Sequence, residues 1–528
     1  VAIRTAGVVG LGTMGAGIVE VFARAGLDVV AVEVNDELLD AGRDRLASSL
    51  ARAVDRGKLD TAARDTMLAR VRFTTDRTDL ADTDLVTEAI PERLEVKTAF
   101  FADLDKICAA ETVFATNTSS LPVTRIAMAT GRPERVVGMH FFNPAPVMRL
   151  VEVIHTVRTD PAVVDTVREL ATRCAKTPVV VGDRAGFAAN ALLFGYLNAA
   201  ARAAETGQAS VPDIDAAVVA ACGLPMGPLT LMDLIGLDVC LDVAETMFEE
   251  TRDQRYAPSP LLKRLVTAGR LGRKSGEGYY RYDGKTATSA LDPPRFTLGA
   301  ARPDVPVVAV TADATSPFLA LLPDVPQAPL DELGEASVVI VDGGTRSLTA
   351  ELLSRAAPRI KPDAVIAVAT TDEAPVAAVA AGAGGPASIV GLHLPLAPRP
   401  GVVEVVATSH SSPDAVATAV AAMQRRGLTA IACRDRPGHL VDFLVLPHLG
   451  DAVRMVDDGY ASYDDVDTAM TLGCGYPSGP IAMVDTVGAD NLRSRLLHLA
   501  AATHLPALAP SPLLDEIAAF GSARQAGS

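Results

Sequence analysis

The stretch VVGLGTMGAGIVEVFARAGLDVVAVEVND, residues 8 to 36, decides how the N-terminal part of this chain folds. An apolar run leads into Gly10, Gly12 and Gly15, which form G-x-G-x-x-G. A helical stretch follows, and then a second apolar run that ends in an acid, Glu33. The pattern predicts a strand, a tight glycine turn and a helix whose N-terminus receives a dinucleotide diphosphate. Free N–H groups and the helix dipole favour an anion there. Gly10 allows the turn, Gly12 lets a pyrophosphate approach the backbone, and Gly15 permits close packing of helix on sheet. The cofactor loop is therefore expected to be Gly10, Leu11, Gly12, Thr13, Met14 and Gly15. Glu33 is expected to accept hydrogen bonds from the adenosine ribose and to repel a 2′-phosphate, which favours NAD over NADP. FAD shares the fingerprint, but nothing else in the sequence suggests a flavin site.

Outward from this stretch, apolar strand-like runs alternate with amphipathic helical ones. Strands are expected at 6–9, 28–32, 85–88, 113–116, 136–140, 151–154 and 179–182, in a mostly parallel sheet wrapped by helices. From Ala185 the text turns helical, with AANALLFGYLNAAARAAETG as one long helix. Residues rich in Pro, Thr, Ala and Gly then read as a linker. After it the chain repeats itself. DRAGF at 183 returns as DRPGH at 435, and GLPMGPLTLMDLIGLD at 223 returns as GYPSGPIAMVDTVGAD at 475, each offset by 252. A constant offset over that many residues signals internal duplication.

The predicted fold is α/β. An N-terminal NAD-binding Rossmann domain (1–184) is followed by an all-α domain (185–284) and a linker (285–302). A reduced Rossmann-like domain (303–433), a second all-α domain (434–505) and a tail (506–528) complete it.

Composition narrows the functional classes. The chain has 528 residues, too many for one ordinary core, and 49% of them are hydrophobic. A formal charge of −16 argues against nucleic acid or an anionic membrane as partner. No apolar run is long enough to span a bilayer. Residues 1 to 10 carry no signal-peptide pattern, and a strand-like start at Ala6 leaves no room for one, so a cytoplasmic location is expected. The six cysteines are scattered, with no metal-ligand spacing and no sign of structural disulfides.

Two further motifs concern chemistry. VVGMHFFNPAPVMRLVEVI, residues 136 to 154, places His140 in one strand and Glu152 in the next, joined by a short return. A carboxylate beside an imidazole fixes its tautomer and stabilises the imidazolium. Such a pair suits removal of a proton from an alcohol whose hydride leaves to NAD. A lone His in a strand is otherwise a hydrogen-bonded core residue.

ATNTSSLPVTRIA, GMHFFNPAPVMRLVEVI, DRAGFAANALL, GLPMGPLTLMDLIGLD and GRLGRKSGEGYYRY, together with the glycine fingerprint, resemble the L-3-hydroxyacyl-CoA dehydrogenase family over residues 6 to 282. The resemblance implies an NAD-dependent oxidation of a 3-hydroxyacyl-CoA thioester to the 3-oxoacyl-CoA. It makes His140 the catalytic base, Glu152 its partner, and Ser119 and Asn190 the hydrogen-bond donors to substrate oxygens. It also places Glu92, Lys97, Asn117, Asn143 and Lys274 near the nicotinamide half of NAD. Arg43 and Arg45 could meet CoA phosphates, although Asp44 stands between them. Taken alone, Ser119 also reads as a cap of the helix LPVTRIA, Asn190 as an ordinary helix-face residue, and Lys97 and Lys274 as solvated charges. The whole-chain organisation is similar to 3-hydroxybutyryl-CoA and 3-hydroxyadipyl-CoA dehydrogenases. Gulonate and carnitine dehydrogenases share the frame and form the alternative enzyme reading. A CoA-ester-binding pseudoenzyme is the reading from another class.

The duplicated half has drifted. IVGLHLPLAPRPGVVEVV, residues 389 to 406, keeps His393 and Glu404. Asp372 falls where Ser119 stood, and Asp442 where Asn190 stood. VVAVTADAT, residues 307 to 315, has no glycine, and the spacing to the next strand is short by about one strand–helix–strand unit. The second copy is therefore expected not to bind NAD, and His393–Glu404 to be a structural pair. Members of the family pair their helical domains across a dimer interface. Either a homodimer or an intramolecular pseudo-dimer of the two helical domains is expected.

Overall fold

The computed structural model describes residues 3–284, 286–291, 298–302, 305–312, 316–370, 376–380 and 388–521. Asp372 lies outside the described residues. The chain divides into two compact units. One comprises Val1–Ala191, Glu249–Arg252 and Asp458–Gly475, and the other Leu192–Phe248, Asp253–Asp457 and Tyr476–Ser528.

The first unit is built on an eight-stranded sheet. Its strands are β1 (Thr5–Val9), β2 (Asp28–Val32), β3 (Val71–Thr74), β4 (Leu85–Glu88), β5 (Val113–Thr116), β6 (Val136–Phe141), β7 (Leu150–His155) and β8 (Thr177–Gly182). They run in the order β3-β2-β1-β4-β5-β6-β7-β8, and every pairing is parallel except β6 with β7. Strands β4, β5 and β6 are buried throughout, as near-continuous apolar runs in a helix-covered parallel sheet should be. The sequence pattern missed β3. Its VRFT is half-exposed at the sheet edge, and an alternation over only four residues is too short to stand out.

Helices α1 (Thr13–Arg24) and α2 (Asp36–Asp55) pack against each other beside β1 and β2. Ile18, Phe22, Leu39 and Leu46 join Val8 and Ala31 in one core. The start of α2 is fixed locally. The Asn35 side chain accepts from the Leu38 N–H, and Asp36 and Glu37 stand in the first turn, where the dipole favours acids.

The second unit holds a six-stranded sheet and most of the helices. Strands β9 (Tyr280–Asp283) and β10 (Thr286–Ser289) form an antiparallel hairpin. The segment expected to begin a linker therefore opens with a strand. Its fully exposed TATS has no buried face to leave a pattern in the sequence. The sheet contains β11 (Val307–Thr311), β12 (Val338–Asp342), β13 (Val365–Thr370), β14 (Ile389–His393), β15 (Val402–Ala407) and β16 (Thr429–Arg434), in that order. Only β14 with β15 is antiparallel. This is the first sheet without the two strands beyond β1, which is the expected loss of one strand–helix–strand unit.

The helical repeats include α3 (Ala189–Thr206), α4 (Val211–Cys222), α5 (Val441–Asp457), α6 (Ala489–Thr503) and α7 (Pro512–Phe520). The predicted tail is not a tail. In α7, Leu514 and Ile517 are fully buried, and the helix packs on α5 and α6. A Ser-Pro start and apolar residues three apart carried that signal. Among the described residues no helix is long and apolar enough to cross a membrane. All six cysteines are free thiols.

The duplication is expressed as an exchange. In the second unit, α4 of the first copy packs on β15 and β16 of the second copy. In the first unit, helix Tyr463–Thr468 and the π-helical turn Ala469–Gly473 pack on β7 and β8. Residues 463–474 are α4 shifted by 252. The hydrogen bonds are shifted alike. The Arg434 N–H donates to the Gln208 carbonyl at 2.8 Å, and the Tyr460 hydroxyl donates to the Gly182 carbonyl at 2.7 Å.

Within the second unit, His448 of α5 is buried between the rings of Tyr196 and Tyr476, at 5.6 and 5.7 Å. Its Nδ1 donates to the Leu192 carbonyl at 3.3 Å. Burial pushes its pKa down to about 4, against a weaker upward pull from that carbonyl. The folded protein therefore keeps His448 neutral, while the unfolded chain takes up a proton near pH 6.5. Its contribution to stability is complete above that pH and is lost as pH falls toward 4, by about 1.4 kcal/mol per pH unit. His393 and His439 are depressed by burial in the same sense. Thermal melts between pH 7 and 5 should show a falling Tm in the parent chain and a shallower fall in His448→Phe. Equal slopes would show that His448 does not contribute to the acid sensitivity.

Candidate active site

At the first glycine loop the structure meets the demands of a dinucleotide. Gly10 has φ +86°, and a Cβ there would stand 2.7 Å from the Ala89 carbonyl oxygen. A Cβ on Gly15 would fall 1.7 Å from the Gly10 oxygen, so α1 can approach β1 this closely only with glycine. Around Gly12 there is nothing within 4 Å, which leaves open space at the N-terminus of α1. These features fit NAD, with Gly12, Thr13 and Met14 presenting backbone to the diphosphate. Glu33, at the end of β2, is half-exposed, and its carboxylate accepts from the Leu11 N–H at 2.6 Å and the Val34 N–H at 3.0 Å. It thus holds the loop as well as standing where a ribose would be read.

His140 and Glu152 are register partners across the antiparallel β6–β7 pair. His140 Nδ1 lies 2.7 Å from Glu152 Oε2. The other Glu152 oxygen accepts from the Ala188 and Ala189 N–H groups at 3.0 and 2.9 Å, where α3 begins. The carboxylate is fully buried, whereas the His140 side chain keeps 7% exposure. A carboxylate on Nδ1 leaves Nε2 as the nitrogen that can take a proton from a substrate. The rings of Phe142 and Phe187 flank His140, at 4.6 and 5.7 Å. Phe187 holds its place with φ +51°, an uncommon conformation for a bulky residue.

Among the other predicted residues, Asn190, Ser119 and Glu92 form a chain of contacts. The Asn190 amide donates to the Ser119 carbonyl at 3.3 Å. Ser119 donates from its N–H to Glu92 at 2.8 Å, and its hydroxyl lies 3.3 Å from the same oxygen. Ser119 does not cap the helix that follows; the Asp183 carboxylate does, accepting from the Val123 and Thr124 N–H groups at 3.0 and 2.6 Å. The Asn117 side chain accepts from the Phe141 N–H at 2.8 Å and so ties β5 to the residue after His140.

Lys97 is not a solvated charge. It is 1% exposed, pairs with the fully buried Glu88, and lies 3.0 Å from Glu92. Burial pushes the Glu88 carboxyl up despite Lys97 and Thr116. Burial also works to raise Glu92, but Lys97, Thr118 and the Ser119 N–H hold it below the ordinary range. Lys274 belongs to the second compact unit, where its ammonium lies 2.6 Å from an Asp238 oxygen.

A cavity of about 430 Å³ opens beside the glycine loop. Its walls include Thr13, Asn143, Arg45, Ser48, Ser49 and Arg52. Of the two arginines considered for CoA phosphates, Arg45 faces it. Arg43 instead pairs with Asp40 at 3.1 Å and lies over the Phe73 ring. Ser48, Ser49 and Arg52 were missed. Their spacing from Arg45 by three, four and seven was the available signal for one shared helix face.

The second copy has kept the dyad in a different setting. His393 Nδ1 lies 2.6 Å from Glu404, and both side chains are fully buried. Glu404 accepts from the Leu440 and Val441 N–H groups at 3.1 and 2.8 Å, as Glu152 does at α3. Arg495 stands on the Nε2 side of the ring. Its guanidinium pairs with Asp442 and lies 3.4 Å from His393 Nε2. Burial brings the His393 pKa down to about 4, with Asp442 and Arg495 pulling in opposite directions. Among the described residues the second sheet has no counterpart of β2, hence none of Glu33.

Comparison with known proteins agrees with this picture. The model of the 3-hydroxyacyl-CoA dehydrogenase NAD-binding domain matches residues 5–184 and 345–436, and that of the C-terminal domain matches 186–282 and 438–528. A 3-hydroxybutyryl-CoA dehydrogenase of Mycobacterium tuberculosis is 50% identical over 283 residues, covering 53% of this chain and 99% of that protein. A 3-hydroxyadipyl-CoA dehydrogenase of Escherichia coli K12 is 35% identical over 481 residues, covering 91% of this chain and 90% of its own length. The crystal structure of 3-hydroxybutyryl-CoA dehydrogenase from Escherichia coli K12 superposes with a TM-score of 0.78 at 33% identity, covering 98% and 99% of the two chains. A duplicated pair of domain matches, a dinucleotide loop and a buried His–Glu pair at the first copy place this chain in the family of NAD-dependent 3-hydroxyacyl-CoA dehydrogenases.

Proposed function

We propose that this chain oxidises a short (3S)-3-hydroxyacyl-CoA to the 3-oxoacyl-CoA at a single working site, the one built around His140. The observation that carries this is the asymmetry of the two dyads. His140 keeps an accessible edge, while His393 is sealed and faces a guanidinium. Bound NAD would accept the hydride that leaves C3. His140 Nε2 takes the hydroxyl proton, and Glu152 stabilises the imidazolium that results. Ser119 and Asn190 supply neutral donors for the substrate oxygens. Glu92, held as a carboxylate, fixes the Ser119 backbone. Arg45 and Arg52 give the cavity beside the glycine loop two cations for an anionic group.

The substrate is proposed to be 3-hydroxybutyryl-CoA, the substrate in the names of several relatives. A C6 dicarboxylic substrate is the second reading, because the relative named for 3-hydroxyadipyl-CoA matches along 91% of the chain.

NADH formation from NAD and (3S)-3-hydroxybutyryl-CoA or 3-hydroxyadipyl-CoA tests this. His140→Ala should lower kcat by at least about 10³-fold, as loss of a general base does. Glu152→Gln should cost at least about tenfold, since the imidazolium loses its partner. His393→Ala should leave kcat per folded molecule unchanged. Turnover that survives His140→Ala but not His393→Ala would overturn the assignment. With either acyl-CoA, NAD should be preferred to NADP. Glu33→Ala should narrow that gap, and it should raise KM for NAD because Leu11 loses its hydrogen bond.

A further inference from the structure

We infer that the second half of the chain supplies part of the first half's working site. The π-helical turn Ala469–Gly473 backs the His140 dyad, and Gly473 is a positioning residue that sets the Phe142 ring against His140. This rests on the proposal that His140 is the base.

The segment 458–475 belongs to the first compact unit, although its sequence belongs to the second helical repeat. Three contacts dock it. The Tyr460 hydroxyl donates to the Gly182 carbonyl, Arg184 pairs with Asp458 at 2.9 Å, and the Arg184 guanidinium lies over the Tyr460 ring at 4.4 Å. Beyond this anchor the turn reaches β7, the strand of Glu152. A Cβ on Gly473 would stand 2.6 Å from Leu150 Cδ2, and 3.1 and 3.3 Å from Phe142 Cε1 and Cζ. Phe142 is the residue whose ring lies 4.6 Å from that of His140. The absence of a side chain at 473 thus sets how far Phe142 can withdraw from the segment and where its ring rests on the imidazole. The field of Glu152 reaches the same segment. Burial raises the Cys474 thiol to about 12 and the Tyr460 phenol well up, and the Glu152 charge adds to both.

The duplicated helices differ here. The first copy is a regular α-helix through Val211–Cys222, and it has Ala221 where the second has Gly473. The second copy turns α-helical at Tyr463–Thr468 and then opens into a π-turn at Ala469–Gly473. π-turns are rare and are found disproportionately at functional sites. In this chain the π-turn falls on the copy that faces the intact dyad. The α-helical copy faces the second sheet, where the Ala221 carbonyl accepts from the Arg399 N–H at 3.0 Å. A rigid wall behind a general base matters because a small misplacement of the base lowers the rate without weakening substrate binding.

The test uses the full chain with Gly473→Ala, Gly473→Val, Phe142→Leu and the Gly473→Val/Phe142→Leu double variant. The readouts are kcat, both KM values and the thermal midpoint. Gly473→Val should lower kcat by at least about tenfold while both KM values stay within about twofold. Gly473→Ala should lie between it and the parent. Phe142→Leu should lower kcat similarly, and the double variant should be no worse than the poorer single variant, because both act on one contact. A Gly473→Val enzyme with unchanged kcat would overturn the inference. So would losses that multiply in the double variant, or losses that appear in KM and thermal midpoint but not in kcat. If Gly473→Val fails to fold, the same comparisons apply to Gly473→Ala, which asks chiefly for a shift of one Leu150 methyl group. His140→Ala, run alongside, separates the two claims. Full activity in that variant refutes the base assignment, whereas its inactivity beside an unaffected Gly473 series refutes only the wall.

Discussion

The Glu152 carboxylate is fully buried and makes three hydrogen bonds inside the protein. One oxygen orients His140. The other accepts from the two N–H groups that open α3. A buried carboxylate is tolerable only with such partners, and the first N–H groups of a helix are donors that need an acceptor. The same side chain therefore does two unlike things. It orients the imidazole proposed to take the proton, and it holds the first residues of α3 against the Rossmann sheet. The position of Asn190, two residues along the chain from Ala188, follows from that attachment, as does its contact with Ser119.

This double role explains a puzzle in the second copy. His393 and Glu404 persist although Arg495, paired with Asp442, lies against His393 Nε2. Glu404 still receives the N–H groups of Leu440 and Val441 at the start of α5. Removing it would strand both donors and the buried His393 together. The same logic applies to Asp183 and Asp435. Each caps the short helix that comes after β5 or its equivalent β13, the second through the Val376 and Ala377 N–H groups at 3.0 and 2.9 Å. Drift removed the glycine turn together with the acid that holds it, and the neutral side chain at the Asn190 position. What it kept are groups that satisfy buried backbone.

The exchange between halves gives the second copy a continued use. Each Rossmann sheet is covered by a helix from the other copy: α4 on β15 and β16, and its equivalent on β7 and β8. Tyr460 and Gln208 occupy equivalent positions in these exchanges and make equivalent bonds by different means, one through a hydroxyl and the other through a main-chain carbonyl. A sheet face that is apolar on both sides must be covered, and a duplicated chain can do so from within itself.

The sequence alone determined the glycine loop, the acid at the end of β2, the His–Glu pair and the repeat, because each depends on residue type at fixed spacing along one or two elements. Gly10 and Gly15 are required by contacts within one strand–turn–helix unit, and the period of the duplication is visible without any fold. Edge strand β3, hairpin strand β10 and helix α7 escaped because the strands bury little and the helix gains its meaning only against α5 and α6. For Lys97 a surface charge stayed open as the alternative reading, because nothing local announces that Glu88 and Glu92 will enclose it. Arg495 gave no hint of reaching His393, which lies 102 residues earlier. Nor did Gly473 announce its place against Phe142, far back in the other half. Local spacing fixes which groups can act. Long-range packing fixes which of them are sealed, paired or left with an open edge, and a sequence read along one dimension does not carry those distances.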